Sequence, residues 1–177
     1  MRTYGPYALA IFTPDGDNVG MSILRFLMVL SLVVWIGGLI FFAVTAQTAF
    51  SVLPSRHLAG SVVGAALGKL HWMGLISGIL YLVCSTAYTR LQTGRMDILA
   101  PRHLLVLVML LITIGSQWGI TPRMHALRTS VGNIESVPPT DPIRVQFNKL
   151  HVWSEQLEKG VLLLGLVVVY LTARQFT

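Results

Sequence analysis

The sequence contains a single cysteine and very little charge. Cys84 has no second cysteine to pair with, so an intrachain disulfide is excluded and the residue is expected to be a small buried hydrophobe. Only 11% of the 177 residues are charged, and they form no basic tract, RNA-binding fingerprint or zinc-finger spacing, which argues against nucleic-acid binding. The chain also lacks a nucleophile elbow, a phosphate-binding loop and a zinc-protease motif, so nothing in the sequence calls for an enzyme.

Hydrophobic residues make up 54% of the chain, and they are gathered into long runs, which is typical of a membrane protein. Most basic residues flank these runs, so the net charge of +6 is best explained by anchoring to lipid headgroups. Residues 1–20 lack the basic end, apolar core and cleavage site of a secretory signal, and we interpret them as a loose extension, with Met21 after it as an alternative start. The remainder, residues 21–177, is predicted to be one transmembrane domain in a lipid bilayer, the inner membrane of a bacterium.

Four apolar runs predict four spanning helices and therefore an all-α fold, an integral membrane antiparallel four-helix bundle. Pro101 and Pro142 suit first helical turns, whereas Pro122 is expected to mark the end of the third helix. Lysines and arginines near the helix ends number six on one side and five on the other, which favours cytoplasmic termini only slightly. The predicted helices cover about 23–50, 58–88, 101–122 and 142–174.

The fourth helix begins with polar residues that a membrane helix rarely carries. At 100° per residue, His151, Glu155 and Glu158 fall within about 60° of one another, and Gly165 continues the same face. A charged group in hydrocarbon costs a few kcal/mol, so those at depth should be paired, neutralised or functional. We therefore predict that this face, and Glu155 in particular, points into the bundle.

The second helix offers a partner for that face. Gly60, Gly64 and Gly68 recur every four residues, which predicts close contact with another helix, and His71 follows on the same stripe. The helical rise places His71 and Glu155 at similar depths, with Gln117 of the third helix near the same level. Lys69 is expected to pair with Glu155 or Glu158, or to extend to the interface. The predicted polar layer comprises Lys69, His71, Gln117, His151, Glu155 and Glu158.

This layer is compatible with several functions. His71, His151 and Glu155 have ligand types that zinc or copper(II) accepts, so a divalent metal is one candidate cofactor. His71 and His151 are alternatively two axial ligands for haem, and a third interpretation is a proton relay. These alternatives make an ion or small molecule the expected ligand, while the competing class is a non-catalytic membrane scaffold whose polar layer only fixes helix packing. His57, His103 and His125 flank helix ends, where headgroup-facing histidines are usual.

Two segments carry a family resemblance. The stretch "VWIGGLIFFAVTAQTAFSVLPSRHLAGSVVGAALGKLHWMG", followed by "FNKLHVWSEQLEKG", resembles the transmembrane-protein-205-like family of four-helix membrane proteins of unknown function. The resemblance covers about residues 24–171 and transfers no site residues, although that family's association with metal-drug handling makes a metal role more attractive. The segment "VWIGGLIFF" alone is similar to the first helix of copper-resistance protein D-like membrane proteins, which are larger.

Overall fold

The structure is a computed structural model that describes residues 16–95 and 97–176, and within these ranges it contains no β-strand. A π-helical turn, Ser116–Ile120, joins α3 to α4, and a short 3-10 turn, Ile134–Ser136, precedes the last helix. The α-helices are α1 (Gly16–Val52), α2 (Arg56–Thr93), α3 (Pro101–Gly115), α4 (Thr121–Val131) and α5 (Pro142–Gln175).

Local sequence signals set the helix ends. The Ser55 side chain accepts a hydrogen bond from the Leu58 N–H at the start of α2, and the Asp141 carboxylate accepts one from the Ile143 N–H at the start of α5. Pro101 begins α3, where a missing N–H costs nothing. Gly94 ends α2 in a left-handed conformation with φ of 70°, which glycine adopts without strain.

The helices form a bundle in which α1 and α3 each pack against both α2 and α5. Four continuous helical segments are long and apolar enough to cross a membrane, with α3, the π turn and α4 counting as one. Large apolar side chains such as Phe26, Phe41 and Leu111 face outward, as expected where the surrounding solvent is lipid. The predicted fold class, a membrane-spanning helical bundle, is therefore confirmed.

The predicted start of the first helix and the predicted end of the third differ from the structure. The first helix begins at Gly16 rather than near residue 23. Residues 1–15 of the predicted loose extension lie outside the described residues, and the domain boundary at residue 21 stays a prediction. The third helix continues past Pro122 to Val131. Pro122 does not end it because the widened π turn immediately before accommodates a residue that has no N–H to donate.

Glycines allow close helix contact in the middle of the bundle. The Trp35 ring of α1 occupies the space beside Gly74 and Gly78 of α2, and Ile36 packs directly on Gly165 of α5. The predicted contact stripe of Gly60, Gly64 and Gly68 lies nearer the start of α2, and only part of it is in contact with another helix. Gly60 contacts the Arg128 guanidinium, whereas the space beside Gly64 and Gly68 is open, so the expected close approach is not found there.

Candidate functional site: a buried His–Gln–Glu triad

His71 is a fully buried histidine whose two ring nitrogens both have partners on other helices. Its Nδ1 lies 2.7 Å from Gln117 Oε1 in the π turn, and its Nε2 lies 2.7 Å from Glu158 Oε1 on α5. The His71 side chain is 1% exposed and that of Glu158 is 16% exposed. These short polar contacts connect three of the four helical segments at one level; we call His71, Gln117 and Glu158 the triad.

The π turn lies at the triad. The Thr121 N–H donates to the Ser116 carbonyl, five residues back, which adds a residue to the turn and changes the direction of the side chains that follow. Ser116 is fully buried, and its hydroxyl has no hydrogen-bond partner among the described residues. Such turns occur often at functional sites, and here the turn carries Gln117.

Two arrangements of protons give each ring nitrogen of His71 a hydrogen-bond partner. With both ring nitrogens protonated, the imidazolium donates to the Gln117 carbonyl oxygen and to the Glu158 carboxylate. After loss of the Nδ1 proton, the Gln117 amide can turn by 180° and donate its N–H to Nδ1, while Nε2–H still donates to Glu158. Both ring nitrogens of His71 therefore have a hydrogen-bond partner in either arrangement.

Tryptophans mark the depth of the triad. Trp72, Trp118 and Trp153 are all about half exposed, and the Trp72 and Trp118 rings contact each other edge to face at 5.8 Å. Tryptophan concentrates at the boundary between lipid and water. The helical rise places Trp72 roughly 27 Å from Arg90 along α2, close to the thickness of a hydrocarbon core. The three tryptophans therefore indicate a membrane boundary close to the triad.

The structure places the other predicted polar residues away from the triad. His151 Nε2 lies 3.2 Å from Glu155 Oε1, and Lys159 Nζ lies 3.5 Å from Glu155 Oε2, with all three side chains at least 45% exposed. The prediction that Glu155 faces the bundle interior is therefore wrong, and Lys69 is also exposed. The reason is the phase of α5: its buried stripe runs through Phe147, Ser154, Val161, Gly165, Val168 and Thr172, and Glu158 borders this stripe whereas Glu155 is turned away.

The proposed metal and haem ligands are consequently separated. His71 contacts Glu158, and His151 contacts Glu155 on the outer surface. Across residues 16–95 and 97–176, no group of three His, Cys, Asp or Glu side chains is placed to hold a metal ion. His71 also has both ring nitrogens engaged, which leaves none directed at an iron atom.

A second buried histidine was missed by the sequence interpretation, which placed His103 among headgroup-facing residues. His103 is 1% exposed; its Nδ1 lies 3.0 Å from the Asp97 carbonyl oxygen and its Nε2 lies 2.8 Å from Ser85 Oγ. Arg102 donates to the Ser85 and Thr89 hydroxyls at 3.1 and 2.9 Å. The signal available in the sequence was the spacing of Ser85 and Thr89, which present two hydroxyls on one face of α2 opposite the start of α3.

The comparison with known families identifies one domain. A family model described as a domain of unknown function, DUF4149, matches residues 30–132, more than half of the chain. The match includes His71 and Gln117 and ends before α5, which carries Glu158. Neither a search of curated proteins nor a search of solved structures found a match. The resemblances to the transmembrane-protein-205-like family and to copper-resistance protein D-like proteins stay predictions, and what the match shows is that the chain belongs to the DUF4149 family.

Proposed function

We propose that this membrane protein binds and releases a proton at the triad. The observation that carries the proposal is the pair of 2.7 Å contacts from the two His71 ring nitrogens, one to an amide and one to a carboxylate. The amide partner is decisive because it can accept from a protonated nitrogen or donate to an unprotonated one. A site that only holds helices together does not need a partner that can both accept and donate a hydrogen bond.

The surroundings of His71 support a proton rather than a metal. The groups that face the imidazole are Gln117 from the π turn and Glu158 from α5, while Lys69 on its own helix is exposed. One carboxylate and one imidazole are too few ligands for the tetrahedral sites that zinc prefers. A proton needs only these two groups, and the partial exposure of Glu158 gives it a route from the nearby membrane boundary.

Infrared spectroscopy on the full-length protein in lipid nanodiscs tests the proposal. As the pH is lowered, wild-type protein should lose the neutral-imidazole ring band of His71 and show a shift of the Glu158 carboxylate stretch, because the ring gains a proton while Glu158 stays ionised. The carboxylate shift should be lost in Glu158→Gln and in His71→Gln, because the first variant removes the carboxylate and the second removes the ring that takes up the proton. Glu155→Gln is the matched control, since Glu155 lies one turn away and is half exposed; this variant should keep both changes.

A scaffold role is the second candidate, and one observation favours it. The triad connects α2, the π turn and α5, so it fixes the relative positions of three helical segments whether or not it exchanges a proton. If no carboxyl or imidazole signal from the triad changes with pH in folded protein, the scaffold function replaces proton binding.

A further inference from the structure

The membrane boundary opposite the triad is rich in arginine. Among the side chains that the structure describes, this end carries one acid, Asp97, near the start of α3. Excess positive charge at a membrane boundary attracts anionic headgroups. The arginines at this end are Arg25, Arg90, Arg95, Arg102 and Arg174, and we call this region the arginine end.

Arg102 is held in place without being neutralised. Its Nε donates to Ser85 Oγ and one terminal nitrogen donates to Thr89 Oγ1, both of which are uncharged acceptors. The ion pairs between described side chains, three in number, involve neither Arg102 nor Arg90. Hydroxyl partners fix the orientation of the guanidinium and leave its positive charge available to an anion.

An apolar groove leads away from this charge along the outer face of α2. The groove has a volume of about 450 Å³ and is lined by Leu82, Val83, Thr86 and Ala87, with Arg90 at its upper end. Arg102 does not line the groove but donates to Thr89, the residue before Arg90. A lipid-facing groove with a guanidinium group at one end matches the chemistry of a lipid that has an acyl chain and an anionic phosphate.

We propose that this groove binds an acidic phospholipid, with an acyl chain along Leu82, Val83 and Ala87 and its phosphate at Arg90, where the charge of Arg102 adds to the positive potential. An acidic headgroup is favoured over a zwitterionic one because choline or ethanolamine would bring a further cation to the arginine end. This site is independent of the proton-binding proposal, since it lies at the opposite membrane boundary.

Native mass spectrometry of the full-length protein tests this proposal, with phosphatidylglycerol and phosphatidylcholine supplied at equal concentration. Wild-type protein should retain phosphatidylglycerol preferentially, and Arg90→Gln should weaken its binding about fivefold while leaving phosphatidylcholine binding unchanged. Arg123→Gln is the matched control, an exposed arginine at the other boundary, and should keep the preference.

The groove is tested separately from the charge. Ala87→Trp fills the groove and should reduce retention of phosphatidylglycerol, whereas Ala43→Trp on the exposed face of α1 should not. Equal retention of the two lipids, or an unchanged preference in Arg90→Gln, would overturn the proposal. So would displacement of the lipid by millimolar inorganic phosphate, because the site would then recognise a free anion.

Discussion

Two buried histidines, one near each membrane boundary, have opposite chemical surroundings. His71 faces a carboxylate and an amide, whereas His103 faces a backbone carbonyl and a serine hydroxyl with the Arg102 guanidinium behind it. The Asp97 carbonyl accepts only, so His103 Nδ1 carries a proton, and the Ser85 hydroxyl can donate to Nε2 while it accepts from Arg102. A second proton on His103 would lie beside a guanidinium. Burial is the same for both, so the difference between them lies in their partners: a carboxylate beside His71 and a guanidinium near His103.

The largest effect is expected from breaking the pair at His71. His71→Leu leaves the Glu158 carboxylate without its partner at the edge of the hydrocarbon, and we expect the protein to lose about 3 kcal/mol or more of unfolding free energy in detergent micelles. Adding Glu158→Leu to the same protein should recover most of that loss. The exposed pair provides the control: His151→Ala should cost less than about 1 kcal/mol. Additive losses in the double variant would show that His71 and Glu158 are not coupled.

Enlarging a glycine in the packed region between the two histidines should reduce stability nearly as much as His71→Leu. Gly165→Leu places a side chain where Ile36 already packs, so we expect a loss of about 1–3 kcal/mol or more in the same unfolding measurement. Gly64→Leu, in the open part of the predicted stripe, should change stability by less than about 0.5 kcal/mol. The reverse order would mean that the helices approach through the Gly60, Gly64 and Gly68 stripe after all.

The Ser85 hydroxyl, at the arginine end, should contribute less to stability than the pair of His71 and Glu158. Ser85→Ala removes the partner of both His103 Nε2 and Arg102 Nε, and we expect a loss of about 1–2 kcal/mol because neither group is a paired charge. Ser130→Ala, an exposed serine that bonds only to its own helix, is the control and should be neutral. A loss as large as that of His71→Leu would remove the difference between the two ends.

The triad and the arginine end should contribute independently to the stability of the protein. The helical rise separates His71 from Ser85 by roughly 21 Å along α2, and within residues 16–95 and 97–176 no side chain bonds to both. The stability losses of His71→Leu and Ser85→Ala should therefore add to within about 0.5 kcal/mol in the combined variant. A larger deviation would reveal coupling across the membrane.

The helices were predictable because long apolar runs bounded by proline and glycine have few alternatives in a bilayer. The partners of the buried polar side chains could not be predicted, because they depend on how the helices pack. Glu155 and Glu158 differ by about 60° around α5, and the identity of the buried one depends on packing at Val161 and Gly165 that no local pattern fixes. The π turn has no sequence signature, although it carries Gln117. Similarly, the burial of His103 follows from the loop that returns α3 against Ser85, a tertiary contact.

Nitrogen-15 NMR of histidine-labelled protein in lipid bilayers tests the central claim most directly, with resonances assigned from His71→Asn and His103→Asn. Our account predicts that His71 passes between a doubly protonated ring and one with a free Nδ1 as the pH rises, that Glu158→Gln shifts this transition, and that His103 keeps a single neutral form with Nδ1 protonated. A His71 ring that holds one protonation state throughout, or a transition unaffected by Glu158→Gln, would contradict it.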